Sequence, residues 1–137
     1  MLGTQHLDTA TTYNNIAGLY SDTGEYGKAL EHYQKALTIR EAVLGADHPD
    51  TATTYNNIAV VYRAMGEYAK ALEYFQKALA VREQKLGTKH PRTINTYDNI
   101  ASTYDAMGDT AAAQQWRDKA NDAQNTEENF AKTERNS

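Results

Sequence analysis

Apolar side chains recur along the middle of the chain with the spacing of an α-helix. Between residues 52 and 62 they fall three or four positions apart, and after Gly66 a second run with the same spacing covers residues 71 to 79. This spacing places the apolar side chains on one face of a helix and leaves the opposite face polar. The pattern therefore predicts two amphipathic helices that are separated by a break at Gly66.

This two-helix pattern belongs to a unit that occurs three times with a period of 42 residues. The stretch HLDTATTYNNIA at 6–17 returns as HPDTATTYNNIA at 48–59 and as HPRTINTYDNIA at 90–101. A fixed period of this length is the signature of stacked repeats, in which each unit contacts its neighbours. We therefore predict three helical hairpins.

Glycine and proline mark the predicted helix ends. One glycine in each unit falls where a left-handed residue would end the first helix, and another where one would end the second. These are Gly24, Gly66 and Gly108, then Gly45 and Gly87. Pro49 and Pro91 suit a first helical turn, where a missing N–H costs nothing. The first helices are predicted near 7–22, 49–64 and 91–106, and the second near 26–43, 68–85 and 110–124.

The unit resembles the tetratricopeptide repeat, whose pattern is a bulky residue, then Leu-Gly, Tyr, Gly, Ala, an aromatic residue and Ala. In the second unit these are Tyr55, Ile58, Ala59, Tyr62, Gly66, Ala71, Phe75 and Ala78. The usual repeat has about 34 residues, and the 42-residue unit is similar to the longer repeat of kinesin light chains. The resemblance covers about residues 3 to 124. It implies an all-α fold, a right-handed superhelical stack of three antiparallel helical hairpins.

The predicted array has repeats at about 3–44, 45–86 and 87–124, followed by a polar tail at 125–137 that we expect to be frayed or disordered. Leu2-Gly3 matches the end of the first unit, so we expect the chain to open on the last residues of a preceding unit.

The third unit is predicted to be a C-terminal cap because its second helix is polar where the other units are apolar. Polar residues replace Leu72, Phe75 and Leu79; they are Gln114, Arg117 and Asn121. A terminal repeat needs such a polar outer face.

The charge and composition of the chain exclude some classes of binding partner. The net charge is −4 and the pI is about 5.5, the wrong sign for a binder of nucleic acid or of an anionic membrane. The chain has neither an apolar run long enough to span a membrane nor a signal-peptide pattern at its start. We therefore expect no nucleic-acid or membrane partner and a cytoplasmic location.

The sequence contains little that indicates a catalytic or metal-binding site. Cysteine is absent, and the histidines in register, His6, His48 and His90, each recur once per unit, so they line up along the stack instead of converging on one ion. We interpret them as helix-start residues. Asp47 and His48 could serve as an acid and a base, but no nucleophile or phosphate loop accompanies them. We expect no enzymatic activity, no metal and no cofactor.

The repeated asparagines are the best candidates for binding. A helical projection from Tyr55 and Ile58 puts Asn57 on the side of the first helix that faces away from the core. In proteins that resemble this one, the first helices line a concave groove, and the matching asparagine grips the backbone of an extended peptide. We name this surface the groove face. Its residues are Thr11, Asn14 and Asn15 in the first unit, Thr53, Asn56 and Asn57 in the second, and Asn95, Asp98 and Asn99 in the third.

Asn15, Asn57 and Asn99 would then form a ladder along the groove face. A carboxamide offers two donors and an acceptor, which match the C=O and N–H of a peptide unit. The alternative is that each asparagine only bonds a neighbouring repeat and stabilises the stack, and the two roles are compatible.

Specificity is expected from groove-face positions that differ between the units. In the first unit these positions hold Gly18, Ser21 and Asp22, in the second Val60, Arg63 and Ala64, and in the third Ser102, Asp105 and Ala106. Asp98 of the third unit also replaces Asn14 and Asn56 of the other two. Three carboxylates against Arg63 leave the surface mildly negative, which favours a neutral or basic protein or peptide. The predicted function is protein–protein interaction through this surface. The alternative is a structural module for self-association or for docking onto a neighbouring domain.

Overall fold

The computed structural model describes the backbone of residues 2–136 and the side chains of residues 6–125. Within that part of the chain all regular structure is helical, in six α-helices that form three hairpins and confirm the predicted all-α fold. The helices are α1 Leu2–Asp22, α2 Tyr26–Leu44, α3 Pro49–Ala64, α4 Tyr68–Leu86, α5 Pro91–Ala106 and α6 Thr110–Asn136.

Most helix ends lie within one residue of their predicted positions, and the two differences are at the ends of the array. The start of α1 is at Leu2 instead of residue 7, so the segment that we matched to the end of a preceding unit is helical. The end of α6 is at Asn136 instead of residue 124, because nothing after Thr110 is a helix-breaking Gly or Pro. The predicted disorder of the tail concerns residues whose side chains lie outside the described part, and it stays a prediction.

The turn inside each hairpin depends on a glycine in the left-handed region. Gly66 has φ +80°, and the next N–H, from Glu67, donates to the Tyr62 carbonyl at 2.9 Å. This bond closes the end of α3 and satisfies one of its last carbonyls. Gly24 and Gly108 adopt the same conformation at φ +81° and +84°, as the sequence predicted.

Histidine caps the start of α3 and α5. The Nδ1 of His48 accepts a hydrogen bond from the Asp50 N–H at 3.0 Å, and Nδ1 of His90 accepts one from the Arg92 N–H at 3.1 Å. In both helices a proline follows at the first helical position, where its missing N–H has no cost. The helix-start interpretation is therefore confirmed for these two histidines, whereas His6 lies inside α1.

The hydrophobic core lies between successive hairpins. One cluster joins the first and second units around Ile58, and another joins the second and third around Phe75 and Ile100. All three of these side chains are fully buried. Truncating a buried Phe typically costs about 3–5 kcal/mol, so contacts between units contribute to the stability of the stack.

A buried arginine also joins successive units, and the sequence analysis missed it. Arg82 of α4 is only 4% exposed, and its Nη1 donates to the Thr96 Oγ1 at 2.9 Å and to the Arg92 carbonyl at 3.3 Å. Burial lowers the pKa of Arg82, and the nearby charge of Arg92 lowers it further. Arg40 makes the equivalent bond to Thr54 at 2.8 Å one unit earlier.

The outer side of α6 is polar, as predicted for a cap. Gln114 and Asn121 are exposed, and Arg117 forms an ion pair with Asp105 of α5. The ring of Trp116 lies 6.0 Å from that of Tyr97 in the same hairpin.

Candidate functional site

The polar side of the first helices separates from the core as the periodicity predicts. In α3, Tyr55, Ile58 and Ala59 are buried, whereas Asn56 and Asn57 are half-buried on the other side. The same division holds in α5. The groove face is therefore a partly exposed polar surface that runs over α1, α3 and α5.

Asparagines of successive units contact each other across this face. The Nδ2 of Asn57 donates to the Asn14 Oδ1 at 3.3 Å, and the Nδ2 of Asn99 donates to the Asn56 Oδ1 at 3.5 Å. Each bond runs from one unit to the unit before it. The arrangement has features of both hypotheses, because the carboxamides do bond a neighbouring repeat and also stay at the surface.

The asparagines differ in how much bonding capacity remains. Asn15 is exposed, and among the described residues it makes no hydrogen bond. Asn57 uses one of its two N–H donors, and its Oδ1 accepts no bond from the described residues. Asn99 is the most occupied, because its Nδ2 also donates to the Asn95 Oδ1 at 3.1 Å.

Arg63 lies beside Asn99 and adds a further bond between units. Its Nη1 donates to the Asn99 carbonyl at 3.2 Å and to the Asn99 Oδ1 at 3.4 Å, and its guanidinium lies over the Phe75 ring at 5.6 Å. Burial lowers the pKa of Arg63. This predicted specificity residue therefore already joins the second and third units.

The remaining predicted residues are on the groove face but do not converge. The hydroxyls of Thr11 and Thr53 donate to carbonyls of their own helices, at 3.1 and 3.2 Å. Ser102 and Asp98 are exposed. The structure thus brings together Asn14 with Asn57, and Asn56, Asn95 and Arg63 with Asn99, while the other residues stand singly.

The charge of the surface includes a base that the sequence analysis did not count. Arg117 of α6 pairs with Asp105, so two of the three predicted groove-face carboxylates, Asp22 and Asp98, stay outside that ion pair. Arg63 bonds to a neutral asparagine. Lys89 is a further base close to Asp98, and the predicted mildly negative balance of the surface stays a prediction.

Tyr33 of α2 is a core residue whose hydroxyl lies close to the first helix of its own unit. Its ring is buried, but its hydroxyl lies 3.7 Å from the place that a Cβ on Gly18 would occupy. Burial raises the pKa of Tyr33, and the charge of Asp22 raises it further. The sequence carried a signal for this contact, because the first unit pairs Tyr with Gly where the second pairs Phe75 with Val60.

The described part of the chain contains neither a metal-binding cluster nor a membrane-spanning helix. No group of three or more His, Cys, Asp or Glu side chains there is placed to hold a metal ion. In the same residues, no helix has the length and apolar character that crossing a membrane requires.

Three helical hairpins that present a polar face on their first helices define a helical-repeat scaffold. The chain belongs to the tetratricopeptide repeat family, whose model matches residues 8–84 and 50–123. No curated protein matches the chain at a significant level.

Solved structures show the same fold. BtubC (BKLC) from P. vanneervenii is 26% identical, with a TM-score of 0.80 over 85% of this chain and 46% of that chain. A Podosopora anserina putative kinesin light chain with nearly identical TPR-like repeats is 23% identical, with a TM-score of 0.71 over 84% and 55%. The N-terminal domain of stress-induced protein-1 from C. elegans is 21% identical, with a TM-score of 0.69 over 87% of both chains. The chain thus spans about half the length of the first two.

The family sets the general class of function. Tetratricopeptide repeats are generally protein–protein interaction modules, and the family is generally non-enzymatic. The predicted resemblance to this family, including its kinesin light chain-like members, is confirmed.

Proposed function

We propose that the groove face binds an extended segment of a protein or peptide through Asn15, Asn57 and Asn99. The observation that carries this proposal is the row of surface carboxamides that keep free bonding atoms after they bond each other. Asn57 retains an N–H donor and its Oδ1, and Asn15 retains its whole carboxamide. These are the groups that pair with a peptide C=O and N–H.

Contacts between the asparagines prepare the surface for binding. The bond from Asn57 to Asn14 restricts both side chains, so a ligand would have less side-chain freedom to remove on binding. The same carboxamides therefore stabilise the stack in the free protein and hold the peptide once it binds.

The side chains around the ladder would select the partner. Thr11 and Thr53 are replaced by Asn95 in the third unit, Arg63 stands where the other units have Ser21 and Asp105, and Ser102 stands where they have Gly18 and Val60. Asp22 and Asp98 favour a neutral or basic segment and disfavour an acidic one.

We infer that the chain has no catalytic activity. The side-chain Nδ1 atoms of His48 and His90 accept bonds from backbone N–H groups at helix starts, which occupies the imidazoles that a catalytic site would use as bases.

The experiment starts from a probe peptide, the tightest binder that a random nine-residue phage-displayed library yields on the wild-type chain. Asn15→Ala should lower the affinity for this peptide about threefold to tenfold, since one carboxamide makes one or two hydrogen bonds. The melting temperature of this variant should equal that of wild type because Asn15 makes no hydrogen bond among the described residues. Gln76→Ala, which removes an exposed side chain of α4, is the control. A library that yields no binder, or equal affinity for Asn15→Ala and wild type, would count against the proposal.

One observation favours a second candidate function, self-association or docking at the start of the array. Leu19 is 67% exposed, whereas Val61 and Thr103 at the equivalent positions are 1% and 0% exposed because the preceding unit covers them. A chain that stays monomeric at high concentration in light scattering would argue against self-association.

A further inference from the structure

An open cavity lies between the start of α5 and the last described turn of α6. Its volume is about 330 Å³, within the usual range of about 300–1,000 Å³ for ligand pockets. Asp98 and Asn95 of the groove face form one wall, and Pro91 and Ile94 supply apolar surface. The lining is Lys89, Pro91, Ile94, Asn95, Asp98 and Gln124.

Internal symmetry identifies Asp98 as an acceptor whose donor is missing. The equivalent side chains in the first and second units are Asn14 and Asn56, and each accepts a hydrogen bond from an asparagine of the following unit. Asp98 has no such partner among the described residues, and it faces the cavity.

The change from Asn to Asp also changes which donor suits the position. A carboxylate only accepts, and its hydrogen bonds are strongest when the donor carries a positive charge. In the described part of α6, Gln124 lines the cavity and no Lys or Arg forms an ion pair with Asp98. Lys89 is exposed at the edge of the cavity and forms no ion pair with Asp98 within 4.0 Å among the described residues.

We propose that this cavity binds a Lys or Arg side chain of the segment held on the groove face. Asp98 accepts from the cationic group, the carbonyl oxygens of Asn95 and Gln124 offer further acceptors, and Pro91 and Ile94 pack against the aliphatic stem. This inference rests on the proposed function and adds to it the chemistry of one ligand position.

The test uses probes too short to span the ladder, which are N-acetyl-lysine methylamide and its neutral counterpart N-acetyl-norleucine methylamide. Amide shifts in NMR titrations should show the lysine probe perturbing residues 94–98 and 124, and binding about threefold to tenfold more tightly than the norleucine probe. Asp98→Asn, which restores the residue type of the second unit, should remove that preference without lowering the melting temperature.

Lys89→Ala should have the opposite effect on the affinity for the lysine probe. It removes a like charge from the edge of the cavity, so the lysine probe should bind more tightly and the norleucine probe should not. Equal affinities of the two probes for wild type, or an undiminished preference in Asp98→Asn, would overturn the proposal. Failure of the ladder itself would appear instead as unchanged peptide binding in Asn15→Ala, which these probes do not measure.

Discussion

Arg82 joins the second and third units through one side chain that is almost completely buried. Its partners are a hydroxyl and a carbonyl, and its Nε has no hydrogen-bond partner in the described part of the chain. A buried guanidinium with incomplete bonding depends closely on the bonds that it does make. Arg40 makes the same contacts but is only half-buried.

This difference predicts unequal costs of truncation. Arg82→Ala should lower the free energy of unfolding by about 2 kcal/mol, because it removes two bonds to a charged group and the packing of a buried stem. Arg40→Ala should cost about 1 kcal/mol at its more exposed site. Urea unfolding followed by circular dichroism measures both values, and equal losses would contradict the assignment.

At this scale the sequence predicted the direction of side chains better than their partners. Helical periodicity put Asn57 on the groove face, because the direction of a side chain around a helix depends on spacing alone. Its bond to Asn14 depends on how one hairpin is rotated against the next, which spacing within a helix does not describe. The same limit hid Arg82, whose charge argued for exposure.

Helix ends were predictable because they depend on local chemistry. Gly66 and Pro49 ended and started helices as expected, and the His48 cap added a bond that the pattern of histidines suggested. The backbone of α6 continues to Asn136, beyond the predicted helix end at residue 124, since residues 125–136 contain no Gly or Pro.

The contact between α4 and α5 includes a titratable pair. The Tyr97 hydroxyl donates to the Glu83 Oε2 at 3.2 Å. Burial, followed by the charge of Glu83 and this hydrogen bond, raises the pKa of Tyr97 to about 12 from an ordinary 10.0. The folded state therefore holds this proton more tightly than the unfolded state does.

The sign of this shift predicts a loss of stability at high pH. The contribution of Tyr97 is fully present below about pH 10 and is lost as the pH rises towards about 12. Relative to Tyr97→Phe, which cannot ionise, wild type should lose about 1–2 kcal/mol between these values. Urea unfolding at four pH values between 9 and 12 measures the difference, and a constant difference would refute the assignment.

For the whole molecule, the period of 42 residues was sufficient to predict three stacked hairpins with a polar last helix. What it could not predict is the space that the stack leaves open. The cavity beside Asp98 lies between the start of α5 and the last described turn of α6. The exposed Leu19 is the corresponding feature at the other end.

The central claim is that the asparagine ladder holds a peptide backbone and does more than join the repeats. Asn57→Ala alone cannot decide this, because it also removes the bond to Asn14. Gln34→Ala is a matched control, since Gln34 donates to the Tyr74 hydroxyl at 3.5 Å and so joins the first two units through their second helices. Both changes should lower stability by roughly 0.5–1 kcal/mol.

The most direct measurement is calorimetric titration of the selected nine-residue peptide into wild type, Asn57→Ala and Gln34→Ala. We predict that Asn57→Ala weakens binding about tenfold, as the loss of one or two hydrogen bonds implies, while Gln34→Ala binds like wild type. Unchanged affinity of a stably folded Asn57→Ala, or an equal loss in both variants, would contradict the claim.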